Sequence, residues 1–184
     1  MSTVVEAFAE RMRANRCGVH GPFDAPEAAQ RIVELARGHA RGADVAVPVA
    51  DPLLRDLGLD RALAAAGAAV LRSDEPGWDE RLATAGAGVT GSLLAVAERG
   101  SIALSCGPGM PRATSLLPPV HVCAVRTATI VETFPEAIAT AEATGPLPSA
   151  LTWVGGPSRT GDLEMKTTFG VHGPKTVEIV LIRG

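Results

Sequence analysis

The sequence predicts an α/β domain in three layers, and three observations carry that prediction. Helical apolar spacing alternates along the chain with short runs of strand composition. The second half is the richer in strands, with VHVCAVR at 120–126, ALTWVG at 150–155 and TVEIVLI at 176–182 the clearest of them. The length of 184 residues, with 46% hydrophobic and 20% charged residues, suits one folded core and is short for two.

Taken in order, Val4, Val5, Phe8 and Met12 share one helical face with Glu6, Glu10, Arg11 and Arg13 left for solvent, which predicts a docking helix over about 3–16. Asp24 stands three residues before Glu27 with Pro26 between them, a capping-box pattern that predicts a helix from about 26 to 41, closed by Gly42. VAVPV follows, and its Pro48 argues for an edge strand or a strand end. Residues 51–67 hold one or two short helices interrupted near Gly58, and AAVL supplies a further strand. SDEPGWDE reads as a turn, WDERLATAG as a short helix ending at Gly86, and 134–144 as another helix. Between them, residues 88–109 are compact apolar stretches separated by glycines. No fixed-period repeat, heptad or long linker is present.

Composition excludes several functions. Lys and Arg number 17 against 20 Asp and Glu, and the net charge of −3 gives no field to attract a nucleic-acid backbone. Four Phe, two Trp and no Tyr leave little for base stacking. Cys17, Cys106 and Cys123 are odd in number and lack C-x-x-C spacing, so neither a disulfide framework nor a self-contained zinc or iron–sulfur site is expected. The start has no apolar core ahead of a cleavage signature, and no uninterrupted apolar stretch of about 20 residues occurs, so a cytoplasmic protein without a membrane span is expected.

The chemistry concentrates in GGPSRTGDLEMKTTFGVHGPK, residues 155–175. Its glycines and prolines can present backbone N–H groups in a concave loop, and Ser158, Arg159 and Thr160 add donors for a carboxylate or phosphate. Asp162 joins them as a candidate pocket residue, although Asp162 and Glu164 can instead pair with Arg159 or Lys166 and fix the loop. His172 can use one ring nitrogen for a ligand or can lock its turn, and His121, after the rigid LLPP, has the same two readings. Glu98 is a candidate base or nucleophile if it ends a short helix facing this loop; its alternative is a salt bridge to Arg99. Cys106 has no neighbouring histidine to activate it and reads as structural. The histidines lack H-x-x-x-H or H-x-x-E-H spacing, so no metal is expected, and neither G-x-G-x-x-G nor a P-loop is present.

In this order, GVTG at 88–91, AERGSI at 97–102, SLLPPVH at 115–121, GPSRTGDLE at 156–164 and GVHGP at 170–174 resemble the LUD-domain family, in particular its lactate utilization protein C group. The likeness covers the second half closely and the first half mainly in length and element order. It implies a fold similar to the NagB/RpiA/CoA-transferase-like proteins, with a central, mostly parallel sheet covered by helices. It also implies an accessory or subunit role in the oxidation of L-lactate to pyruvate, beside partner proteins that carry the iron–sulfur clusters. No cofactor is then expected on this chain. Relatives commonly have AETG where this chain has AERG, so Arg99 replaces a small hydroxyl residue. Two other readings stay open: an independent phosphate-sugar or acyl-group isomerase or transferase using the Gly-rich pocket, and a regulatory or organic-anion-binding module.

Overall fold

In a computed structural model, residues 2–145, 148–161, 167–169 and 172–184 are described. The apolar stripe at the start forms α1 (Thr3–Ala14), which buries Val5, Phe8, Ala9 and Met12 as the docking-helix reading requires. β1 (Gly18–Phe23) leads into α2 (Ala25–Ala40). Asp24 starts α2 through a complete capping box: its carboxylate accepts from the Glu27 N–H at 2.9 Å, and the Glu27 carboxylate accepts from the Asp24 N–H at 3.4 Å. Because two otherwise unpaired donors are satisfied there, Asp24→Ala is expected to cost about 1 kcal/mol. Thermal unfolding measures this, and an unchanged midpoint would show that the cap contributes nothing.

β2 (Val45–Val47) is followed by α3 (Pro52–Asp56), α4 (Leu59–Ala65), β3 (Val70–Arg72), α5 (Trp78–Leu82) and β4 (Ala87–Gly91). Gly58 separates α3 from α4 with a left-handed φ of 60°, a conformation that suits glycine. The next segment is a hairpin of β5 (Leu94–Val96) and β6 (Ser101–Cys106), then a 3-10 turn (Arg112–Ser115) and β7 (Val120–Arg126). A second 3-10 turn (Thr127–Thr129), β8 (Ile130–Val131), α6 (Phe134–Ala143), β9 (Ala150–Val154), the pair β10 (Arg159–Gly161) and β11 (Thr167–Phe169), and β12 (Thr176–Ile182) complete the order. Among the described residues, no helix is long and apolar enough to cross a membrane.

Six strands form the central sheet in the order β1-β12-β7-β4-β2-β3, every neighbouring pair parallel. Their β-branched runs are covered on both faces, as parallel strands require. On one face α2, α3 and α4 enclose Val45, Val89, Val122 and Val180. On the other, α1 and the hairpin residues Ala95, Ile102 and Leu104 enclose Cys123, Val125 and Ile179. The hairpin belongs to a second sheet, β8-β5-β6-β9, whose far side is closed by α6 and by Phe134 against Trp153 at 4.8 Å between ring centroids.

Two local expectations sharpen here. Pro48 stands just past the end of β2, which is an interior strand between β4 and β3, so the strand-end reading holds and the edge reading does not. The strand at 150–154 pairs antiparallel with β6 rather than joining the parallel sheet.

The connections define a crevice. After β2 the chain leaves through α3 and α4 onto the α2 face, and after β4 it leaves through the hairpin onto the opposite face. Adjacent parallel strands whose connections diverge in this way open a gap at their carboxyl ends, which is where ligands bind in open α/β sheets.

Candidate functional site

The residues singled out in the sequence fall into three places. Glu98 lies in the turn joining β5 to β6, not at the end of a helix, because β5 and β6 pair antiparallel across it. It is exposed, and its Oε1 accepts from the Phe134 N–H at 3.1 Å, serving an unpaired donor in the first turn of α6. Arg99 beside it is exposed, and its carbonyl accepts from Asn15 Nδ2 at 3.1 Å. Asn15, at the end of α1, also donates to the Gly100 carbonyl, and its own carbonyl accepts from Arg159 Nη2 at 3.1 Å. Asn15 therefore ties the Arg99–Gly100 backbone to Arg159, while the Glu98 carboxylate itself is turned to α6.

Ser158 donates its N–H to the Pro174 carbonyl at 2.9 Å, so residue 158 lies against the segment 172–174, in which His172 is exposed. Thr160 pairs with Thr168 in the β10–β11 ladder, and Asp162 lies outside the described residues. Ser158, Arg159 and His172 sit at the amino ends of the parallel strands, just before β12 begins. His121, the second residue of β7, lies at the same end of the sheet but inside it: it is wholly buried, its Nε2 is 2.8 Å from Thr90 Oγ1, and its Nδ1 has no hydrogen-bond partner among the described residues. Burial pushes its pKa down to about 4, so the ring is neutral at pH 7.

The crevice at the carboxyl ends of β2 and β4 holds residues that sequence reasoning missed. It is a cavity of about 260 Å³, with Asp51, Ser92, Leu93, Met110 and Arg126 in its wall. Asp51 follows β2 and is only 6% exposed; Oδ1 accepts from the Leu54 N–H at 3.1 Å and Oδ2 from the Gly91 N–H at 2.7 Å. Desolvation raises its pKa, against the lowering effect of those backbone N–H groups. Ser92 Oγ is buried with no partner among the described residues. At the rim, Arg126 Nη2 donates to Asp56 at 2.9 Å.

GVTG supplies much of this arrangement. A Cβ on Gly91 would stand 2.6 Å from Asp51 Oδ1 and 3.0 Å from Leu53 Cβ, so glycine makes room for the buried carboxylate. Gly88 lies directly under the Thr114 carbonyl, and Thr90 holds His121, so GVTG and SLLPPVH pack onto each other. The signal available in the sequence was Asp51 before Pro52, an N-cap followed by proline at N1. Its contact with Gly91, forty residues on, was not readable.

The LUD domain family profile matches residues 5–182. "Lactate utilization protein C" of Deinococcus radiodurans is 34% identical over 151 residues, covering 82% of this chain and 66% of that protein. The protein of the same name in Bacillus subtilis (strain 168) is 33% identical over 102 residues, covering 53% of this chain and 42% of that protein. The chain thus spans less than two thirds of the length of these curated relatives. A crystal structure of a DUF162 family protein from Deinococcus radiodurans superposes with a TM-score of 0.69 at 27% identity, covering 97% of this chain and 96% of that one.

Proposed function

Because this chain belongs to the LUD-domain family, we propose that it acts in lactate utilization, as an accessory or subunit supporting oxidation of L-lactate to pyruvate beside iron–sulfur partner proteins in the cytoplasm. The observation that carries the reading is similarity, over most of the chain, to a protein named for lactate utilization.

The chemistry of the cysteines supports assigning the clusters to partners. Cys17, Cys106 and Cys123 are buried and free, and a cluster is ligated by thiolates. Burial pushes Cys17 up to about 12 and raises Cys123 as well, which keeps both protonated. In this reading Ser158, Arg159 and Thr160 face a partner or an organic anion, and Glu98 or His172 moves a proton if this chain takes part in the chemistry. Arg159 is exposed and has one described hydrogen bond, to the Asn15 carbonyl, which leaves guanidinium donors for a carboxylate.

The test is lactate-dependent electron transfer reconstituted from purified partners, with and without this chain. Omission is expected to abolish most of the rate, and Arg159→Ala to lower it roughly tenfold, the scale of one charged hydrogen bond. A full rate without the chain would overturn the reading.

A further inference from the structure

We propose that the crevice between the carboxyl ends of β2 and β4 binds a small hydroxylated organic anion, its hydroxyl donating to Asp51 and its anionic group held by Arg126. This site is distinct from the Arg159 loop, which lies at the opposite, amino-terminal edge of the sheet. The proposal deepens the lactate-utilization reading, on which it rests only for the choice of one probe.

Size sets the first limit. Pockets for drug-sized ligands hold roughly 300–1,000 Å³, and 260 Å³ falls just short of that range, which suits a compact metabolite. Behind the main cavity, Asp51, Gly91, Ser105 and Met110 also border an inner recess of about 20 Å³, close to the room that one water or one hydroxyl requires.

The polar groups define the ligand. The Leu54 and Gly91 N–H groups fix the Asp51 carboxylate, with the Leu53 N–H also acting on it, and an ionised carboxylate offers about four acceptor sites, so the floor of the cavity takes a donor. Ser92 Oγ is buried and unpartnered beside it, and a buried hydroxyl in that state is costly unless a ligand or water completes it. Leu53, Leu93 and Met110 give the wall an aliphatic surface. At the rim, the bond to Asp56 is the one described for Arg126, leaving the other guanidinium N–H groups for a carboxylate.

The experiment is titration of the isotope-labelled full chain, followed through its backbone amide signals, with four probes: L-lactate, glycolate, propionate and propane-1,2-diol. Propionate lacks the hydroxyl, and the diol lacks the charge. L-lactate and glycolate are expected to move the Gly91 and Ser92 signals saturably, and each control to bind roughly tenfold more weakly. Arg126→Gln should weaken L-lactate by about the same factor, and Ser92→Ala by a few-fold with the amide spectrum otherwise intact. Asp51→Asn should bring L-lactate and propionate to similar affinity. Equal binding of L-lactate and propionate by the unmodified chain, no saturable shift with any probe, or shifts centred on Arg159 and His172 instead would each overturn the proposal. Hydroxy-acid binding in the crevice together with partner activity that does not need this chain would keep the site and reject the lactate-utilization role.

Discussion

Gly88→Ala is expected to lower stability by about 3 kcal/mol or more, and Gly38→Ala to raise it by up to about 1 kcal/mol. Both replace glycine by alanine in a regular element, so the opposite signs come from surroundings alone. Gly88 lies within β4, and a Cβ there would collide with the Thr114 carbonyl oxygen and stand 3.3 Å from Pro118 Cγ. The Cβ position is fixed by the backbone and the oxygen it meets is main chain, so no rotamer change relieves the clash; the 3-10 turn would have to lift off the sheet. Gly38 lies in α2, and a Cβ there meets nothing within 4 Å, so the gain in helix propensity is unopposed. In a domain of this size 1 kcal/mol moves the melting midpoint by roughly 2–4 °C. Gly88→Ala should therefore melt about 10 °C lower, and Gly38→Ala a few degrees higher. Equal midpoints for the unmodified chain and Gly88→Ala would show that the 3-10 turn does not rest on β4.

That pair of variants also separates what the sequence could reveal from what it could not. Local chemistry was legible. The Asp24–Glu27 box and the stripe of Val5, Phe8 and Met12 located two helices to within a residue or two, and the runs 120–126 and 176–182 became β7 and β12 over the same residues. The resemblance carried the parallel sheet and its helical cover. The second sheet stayed hidden because an apolar run such as ALTWV has the same composition in either sheet, and only pairing with β6 decides. The candidate loops around Ser158 and His172 do meet, through the Ser158 N–H and the Pro174 carbonyl. The crevice was invisible for another reason. Asp51 and Ser92 stand far apart in the chain and are joined only by the crossing of the chain from one face of the sheet to the other. The glycines of GVTG were noticed as a motif, but their purpose lies in the groups resting on them: the Thr114 carbonyl over Gly88 and the Asp51 carboxylate over Gly91.

His121 should make this protein acid-labile between pH 6.5 and about 4, and the window follows from its burial. Unfolded, the imidazole titrates near its ordinary value of 6.5; folded, it stays neutral down to about 4. Across that interval the unfolded chain holds more protons than the folded one, so stability is fully present above pH 6.5 and is lost as pH falls through the window. Each pKa unit corresponds to about 1.4 kcal/mol, so the loss reaches roughly 3 kcal/mol at pH 4. Asp51 works in the opposite sense. Its folded pKa lies above the ordinary 3.8, so its contribution grows as pH falls, and a simple pH profile of the unmodified chain mixes the two. His121→Gln separates them, because the glutamine amide can either donate to Thr90 or accept from it and cannot titrate, while Asp51 is common to both proteins and cancels in the difference. In urea unfolding at a series of pH values, the variant should be less stable by roughly 1–2 kcal/mol at pH 7, the cost of an imperfectly replaced buried side chain. The gap should close and then reverse by pH 4. A histidine that lined an open pocket would keep a pKa near 6.5 in the folded state, and the difference between the two proteins would then be the same at every pH; that result would return His121 to the ligand-binding role its place after LLPP first suggested.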